Sequence, residues 1–157
     1  MGTRGWSTEE FKSYSKSKGR GVTLDGEVFG VSSSQDVFKS CGLNAALDPK
    51  NVIRECRDSD EHRNTIPVIL ALDVTGSMGD AAVAVAKKLN VIMTRLFENI
   101  KDVEFMIMGI GDLAYDSTPI QASQFESDIR IAEQLDKLYF EYGGGGNSFE
   151  SYSAAWY

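Results

Sequence analysis

The chain has 157 residues, of which 42% are hydrophobic, and a formal net charge of -7 at pH 7. This length and composition predict one globular domain with a buried core. Nucleic-acid binding requires a basic patch, and none is visible in the sequence, so we expect no nucleic-acid partner. No N-terminal stretch resembles a signal peptide and no run approaches the roughly 20 apolar residues of a membrane span, so we expect a cytoplasmic protein.

Residues 1–65 form an N-terminal extension to which the sequence assigns no role. Ser, Gly, Lys and Asp are frequent there, and apolar residues occur in short groups. Residues 7–10, Ser-Thr-Glu-Glu, have the form of a capping box before a short helix. Residues 22–31 predict a hairpin around Asp25-Gly26, and residues 35–47 predict one further helix.

Residues 66–157 alternate strand and helix patterns. The predicted elements, in chain order, are a strand at 68–72 buried on both faces, a helix over 82–97, a buried strand at 103–110, a short edge strand at 120–125, a helix over 131–142 closed by Gly143, and a last apolar helical run to Tyr157. This order is typical of an α/β fold with a parallel sheet.

Three side chains with oxygen atoms follow the first strand, at the alternate positions Asp73, Thr75 and Ser77. Neighbouring glycines let the backbone turn sharply there. Open α/β sheets bind ligands at the carboxyl ends of central strands, where this turn is expected. One carboxylate and two hydroxyls suit a hard cation such as magnesium. The simpler interpretation is an Asp-rich turn in which Ser77 or Asp80 caps the next helix.

The segment from Pro67 to Gly79 resembles the first loop of a von Willebrand factor A (vWA) domain. In that family an Asp-x-Ser-x-Ser motif after a hydrophobic strand begins the metal-ion-dependent adhesion site (MIDAS). Thr75 takes the place of the middle serine and keeps its hydroxyl. The resemblance covers residues 66–157 and implies a Rossmann-like, mostly parallel sheet flanked by helices. It also implies a bound Mg²⁺, with Mn²⁺ or Ca²⁺ as alternatives.

The resemblance adds two supporting candidates for the same ion. The family has a Gly-Gly-Thr loop between its second and third major helices. Asn147 stands at the threonine position after Gly143–Gly146, with Ser148 as its neighbouring alternative. Asp112 ends an inner strand, so strand order predicts that it lies on the same rim as Asp73. The alternatives are a flexible connection for the glycines and a loop-capping role for Asp112.

The resemblance further implies a protein partner that offers a carboxylate to an open coordination position of the ion. A carboxylate approaching this net-negative chain is attracted only where the cation inverts the local charge. Such domains often act with ring-forming ATPases or in assembly machines of bacteria and phages.

The family also places a further strand beside the first one, and none follows Trp156-Tyr157. The chain is therefore expected to be truncated before the last strands of the family. Strand 68–72 would then have an open edge that pairs with a second chain, with part of residues 1–65 or with another copy of itself.

An enzyme is the alternative function. The segment Asp73-Val-Thr-Gly-Ser77 also resembles the Asp-Lys-Thr-Gly-Thr signature of P-type ATPases, in which the aspartate is phosphorylated. Residues 111–116 are similar to the Gly-Asp-x-x-x-Asp magnesium motif of the wider haloacid dehalogenase superfamily. However, Val74 replaces the lysine, Thr75 replaces the acid of the simple phosphatases, and no separate Ser/Thr motif with a lysine follows. We therefore expect a binding module without catalytic residues.

A polar cluster precedes the first strand and consists of Cys56, Asp58, Asp60, Glu61 and His62. A zinc site would normally show a second soft ligand about two to four residues from the first, and none is present. With only two cysteines in the chain, no disulfide framework is indicated, and a reducing compartment is expected. The cluster is interpreted as a polar surface loop.

Overall fold

The computed structural model describes residues 5–60, 63–142 and 151–156. Its helices are α1 (Thr8–Ser17), α2 (Ser34–Val37), α3 (Gly79–Asn99) and α4 (Arg130–Asp136). Its strands are β1 (Gly21–Val22), β2 (Val28–Phe29), β3 (Ile66–Asp73), β4 (Val103–Ile110) and β5 (Ile120–Ala122). Short 3₁₀ turns cover Ala45–Leu47, Gly76–Met78 and Tyr152–Trp156. None of the described helices combines the length and apolar character needed to cross a membrane.

The larger sheet has the strand order β3–β4–β5. β3 and β4 pair in parallel from Ile66↔Val103 to Asp73↔Ile110, and α3 makes the crossover that parallel neighbours need. β5 pairs antiparallel with β4 at the edge, and β1 and β2 form a separate antiparallel hairpin. The predicted α/β class is confirmed, and among the described strands the larger sheet is mixed, with one parallel and one antiparallel pair, whereas the hairpin is antiparallel.

Helix α3 forms because its apolar residues recur at spacings of three and four, which places them on one face. Large and small buried residues of that face include Ala82, Ala86, Leu89 and Met93. They share one core with Phe105 and Ile107 of β4. Because burying a Leu or Met side chain contributes roughly 1.5–3 kcal/mol, this packing holds the crossover against the sheet.

The prediction that the first strand is buried on both faces is wrong for the described residues. Ile69 is 44% exposed and Ala71 is exposed, whereas Leu72 is 7% exposed and lies in the main core. The reason is that α3 and α4 contribute to the same core, on one face of the sheet. Within the described ranges, the opposite face carries a smaller cluster centred on Met106 and Met108.

In the N-terminal part, two predicted elements are confirmed and one is wrong. The Ser7 side chain accepts a backbone N–H of the first turn of α1, and Gly26 takes φ +85° in the hairpin turn. Residues 35–47 do not form one helix. Asn44 starts a separate 3₁₀ turn instead, because its side chain accepts from the Ala46 N–H at 3.0 Å.

Helix α4 is shorter than predicted, because it ends at Asp136 and the chain then runs extended. The Gln121 side chain of β5 holds this extended segment. It donates to the Tyr139 carbonyl at 2.8 Å and accepts from the Tyr139 N–H at 2.9 Å. Gln121 thus satisfies both backbone groups as a neighbouring strand would. The predicted closing residue, Gly143, lies outside the described residues.

The N-terminal part shares its hydrophobic core with the sheet. Its buried contributors to that cluster are Phe11, Val28, Val31, Val37, Phe38 and Leu47. The Phe38 ring lies 4.4 Å, centroid to centroid, from the ring of Phe140, in the extended segment after α4. Both parts of the chain therefore bury apolar surface against each other.

A partly buried ion pair also joins α4 to the N-terminal part. Arg20 donates from Nη1 to both carboxylate oxygens of Asp136, at 2.9 and 3.0 Å, and each side chain is 11% exposed. The Tyr14 hydroxyl donates to Asp136 Oδ2 at 2.6 Å. Burial, followed by the adjacent Asp136 carboxylate, raises the pKa of Tyr14 above its usual value. The tyrosine hydroxyl therefore stays protonated and keeps donating.

Replacing Asp136 by Ala is expected to lower the free energy of unfolding by about 3 kcal/mol, because it leaves the Arg20 guanidinium buried without its counter-charge. Urea-induced unfolding followed by circular dichroism measures the change. Glu9→Ala is the matched control, since it breaks an exposed pair with Lys12 and should have little effect. Equal stability of the two variants would contradict the role assigned to Asp136.

Candidate metal site

The candidate site begins where β3 ends. Val74 still donates its N–H to the Ile110 carbonyl at 2.9 Å, so pairing with β4 continues one residue past Asp73. The chain then enters the 3₁₀ turn Gly76–Met78 and passes directly into α3. The oxygen-bearing turn therefore lies at the carboxyl end of a parallel strand, as the sequence predicts.

Asp73, Thr75 and Ser77 lie together in this turn. Asp73 Oδ1 accepts the Thr75 N–H at 2.9 Å and the Thr75 hydroxyl at 2.5 Å. Thr75 Oγ1 lies 3.4 Å from Ser77 Oγ. The predicted alternative, capping of α3 by Ser77 or Asp80, is not what forms, because the N-cap residue is Met78 and makes no side-chain capping bond.

Tyr152 contacts the site and was not among the predicted residues. Its hydroxyl donates to Asp73 Oδ2 at 2.7 Å, across a separation of 79 residues. The preceding residue, Ser151, donates its N–H to the Gly111 carbonyl at 3.2 Å and accepts the Leu113 N–H on its hydroxyl at 2.9 Å. Residues 151–152 therefore connect the end of β3 with the loop after β4. No local sequence pattern marks such a contact.

Asp112 lies on the same rim as Asp73 and holds its own loop. It is 6% exposed, and its Oδ1 accepts the Ala114 N–H at 2.8 Å. Its own N–H donates to Asp116 Oδ2 at 2.7 Å. A Cβ at Gly111 would clash with the Asp116 carboxylate, so a larger residue there would displace the group that accepts the Asp112 N–H. The structure shows the loop-capping alternative for Asp112, which leaves its other carboxylate oxygen for a further role.

The extended segment after α4 forms a second wall of the site. Glu141 pairs with Thr75 in a parallel bridge, and a Cβ on Gly76 would lie 3.5 Å from the Tyr142 Cα. Glu141 Oε2 accepts the Ser117 N–H at 2.8 Å and the Ser117 hydroxyl at 3.1 Å. The chain after α4 thus reaches both the turn after β3 and the loop after β4. The predicted ligand Asn147 and its alternative Ser148 lie outside the described residues.

The donor set consists of hard oxygens. Asp73 and Thr75 are half-buried and Ser77 is exposed, so solvent reaches the turn. This fits Mg²⁺, which takes few protein oxygens and keeps several waters. In the described part of the chain, no group of three Asp, Glu, His or Cys side chains is placed to hold a metal ion. Any ion bound at the turn would therefore rely on one carboxylate and on hydroxyl oxygens.

The polar cluster around Cys56 has a structural explanation. Asp58 Oδ1 accepts the Asn64 N–H at 3.1 Å and the Thr65 N–H at 2.7 Å, which shapes the entry to β3. Burial, followed by a hydrogen bond to the Glu104 carboxylate, raises the pKa of the Cys56 thiol to about 12. A thiol held in this form is a poor zinc ligand. Glu61 and His62 are outside the described ranges.

Comparisons with protein-family models, with curated proteins and with solved structures gave no match to this chain.

Cys56 is expected to react with iodoacetamide at pH 8 at least about tenfold more slowly than the exposed Cys41, because the thiolate is the reactive form. Mass spectrometry of the labelled peptides measures both rates. Glu104→Gln should accelerate labelling of Cys56, since it removes the neighbouring negative charge. Equal rates for the two cysteines in the folded protein would contradict the raised pKa.

Proposed function

We propose that this chain is a divalent-metal-dependent protein-binding module of the vWA type, which holds Mg²⁺ and recognises an acidic group of a partner. The observation that carries the proposal is the contact of Asp73, Thr75 and Ser77 at the carboxyl end of β3. Open α/β sheets bind their ligands at such a rim. A Rossmann-like vWA fold over residues 66–157 is supported by the β3–α3–β4 unit and by β5 at the sheet edge.

The hydrogen bonds of the turn are compatible with a bound cation. A hydroxyl has one proton to donate and two lone pairs that accept. Thr75 can therefore keep its proton on Asp73 Oδ1 and still offer a lone pair to an ion. Bound Mg²⁺ would supply a positive charge and a coordination position open to a carboxylate. Asp112 and Asn147 are proposed supporting ligands, and Mn²⁺ or Ca²⁺ are proposed replacement ions.

The negative charge around the turn favours the binding of a cation. Asp73 ends β3, and Asp112, Asp116 and Glu141 lie in the segments that follow β4 and α4. Each accepts hydrogen bonds from backbone N–H groups or hydroxyls. Among the described residues, none of them forms an ion pair with Lys or Arg. The rim therefore keeps negative charge that attracts a cation.

The proposed partner is a protein that presents an Asp or Glu side chain. The formal charge of -7 makes the chain repel a free carboxylate, so attraction is restricted to the position of the ion. A cytoplasmic location is proposed on the cysteine usage of the chain. A ring-forming ATPase is the proposed partner, on the resemblance to vWA domains.

Asp73→Ala is expected to weaken Mg²⁺ binding by about tenfold or more, because it removes the carboxylate of the turn, which also holds the Thr75 hydroxyl. The fold should persist, since the side chain lies at the rim. Isothermal titration calorimetry measures the affinity, and circular dichroism checks the fold. Asp80→Ala, which removes an exposed acid from the first turn of α3, is the control and should bind as wild type does. Unchanged affinity in Asp73→Ala would refute the site.

Asp73 is not expected to form an acyl-phosphate. Phosphoryl transfer to a carboxylate needs a nearby cationic side chain such as lysine to stabilise the charge. The described partners of Asp73 are instead Thr75 and Tyr152. Incubation with Mg²⁺ and acetyl phosphate or ATP, followed by intact mass spectrometry, should show no added phosphoryl group. A phosphorylated wild type beside an unmodified Asp73→Asn variant would favour the aspartyl-phosphate enzyme.

A further inference from the structure

Both oxygens of the Asp73 carboxylate already have hydrogen-bond donors. Oδ1 accepts two hydrogen bonds from Thr75, one from its N–H and one from its hydroxyl. A carboxylate oxygen accepts about two such bonds, so Oδ1 is saturated. Oδ2 accepts the Tyr152 hydroxyl at 2.7 Å. Any cation that binds Asp73 must therefore approach through Oδ2, the atom that Tyr152 covers.

We propose that Tyr152 is a gate for the metal site. Its hydroxyl and a divalent cation compete for Asp73 Oδ2. Ser151 and Tyr152, with their hydrogen bonds to Gly111, Leu113 and Asp73, are called the Tyr152 latch. With the latch closed, Asp73 is satisfied by neutral donors, and with the latch open, its carboxylate is available to the ion. The gate rests on the proposed function, because it regulates the same site.

The latch is placed by the backbone as well as by the tyrosine. The two hydrogen bonds of Ser151 to the loop after β4 fix the start of the 3₁₀ turn Tyr152–Trp156. This loop is itself braced by Asp112 and Asp116. The Tyr152 hydroxyl is therefore presented to Asp73 from a defined position, at a low entropic cost.

The latch is also weakly packed. Tyr152 is 50% exposed and Trp156 is 83% exposed, and Ala155 alone of this turn packs against the Met106 cluster. Segments with few buried apolar contacts open at low free energy. The latch can therefore open without unfolding the sheet.

Because the Tyr152 hydroxyl and the cation compete for Asp73 Oδ2, the opening of the latch and the affinity for the ion depend on each other. If the latch is closed in most molecules, the apparent affinity for the ion is reduced by the fraction that is open. By linkage, the ion must shift the latch toward its open state by the same factor. Magnesium binding would thus release Ser151 from Leu113 and expose residues 151–156 to a partner.

The test compares Mg²⁺ titrations of wild type, Tyr152→Phe and Tyr115→Phe by calorimetry. Tyr152→Phe keeps the ring and removes the hydroxyl, and it should bind Mg²⁺ about three- to tenfold more tightly, as expected for a latch that is closed in most molecules. Tyr115 is the matched control, since it is an exposed tyrosine of the neighbouring loop whose hydroxyl makes no hydrogen bond within the described ranges. Tyr115→Phe should bind as wild type does.

A second readout is amide hydrogen exchange at Leu113, followed by NMR. Exchange should accelerate in metal-free Tyr152→Phe, and in wild type when Mg²⁺ is added, because both open the latch. Unchanged exchange on adding Mg²⁺ to a wild type that binds it would overturn the gate.

The titrations separate the two proposals. Asp73-dependent binding in wild type, with equal or weaker binding in Tyr152→Phe, would overturn the gate and leave the proposed function intact. Absence of Mg²⁺ binding in both proteins would overturn the proposed function, and the gate with it. Binding in Tyr152→Phe alone would support both.

Discussion

The parallel pairing of β3 with β4 is the constraint on which the rest of the structure depends. Its register sets Asp73 opposite Ile110, so both strands end at the same rim. The turn with Thr75 and the loop with Asp112 therefore start side by side, although they are far apart in the chain. Helix α3 maintains this register, because its buried face packs on β4 while it returns the chain to the start of the next parallel strand.

The position of the chain after α4 depends on Gly109 and Gln121, which lie in the neighbouring strands β4 and β5. A Cβ at Gly109 would lie 2.9 Å from the side chains of Leu138 and Val74, so a larger residue there would have to displace them. Gln121 then satisfies the backbone of that chain at Tyr139. Together they extend the segment toward Thr75, where Glu141 pairs. Two residues outside the turn thus position one wall of the candidate site.

Sequence patterns that involve only neighbouring residues predicted much of this fold. The amphipathic spacing of α3, the apolar run of β4 and the cap at Ser7 depend on neighbouring residues, and the structure confirms them. Two of the failures involve partners distant in sequence, whereas the break within residues 35–47 comes from the local hydrogen bond of Asn44 to the Ala46 N–H. Which faces of β3 are buried depends on where the helices dock, and the end of α4 depends on Gln121. The grouping of Asp73, Thr75 and Ser77 could be predicted because all three lie in one turn. The contact of Asp73 with Tyr152 could not, because it spans 79 residues.

The electrostatics of the rim also set an order of events for the proposed binding. Its carboxylates are held by neutral donors, which fix their geometry without cancelling their charge. An acidic partner arriving first would meet repulsion from Asp73 and from the net charge of the chain. A divalent cation arriving first reverses the local sign and creates the attraction that the partner needs. Hydrogen bonds from neutral groups therefore suit a site that binds a cation, because they leave the negative charge of Asp73 in place. A Lys or Arg partner would instead neutralise Asp73 and remove the attraction for an ion.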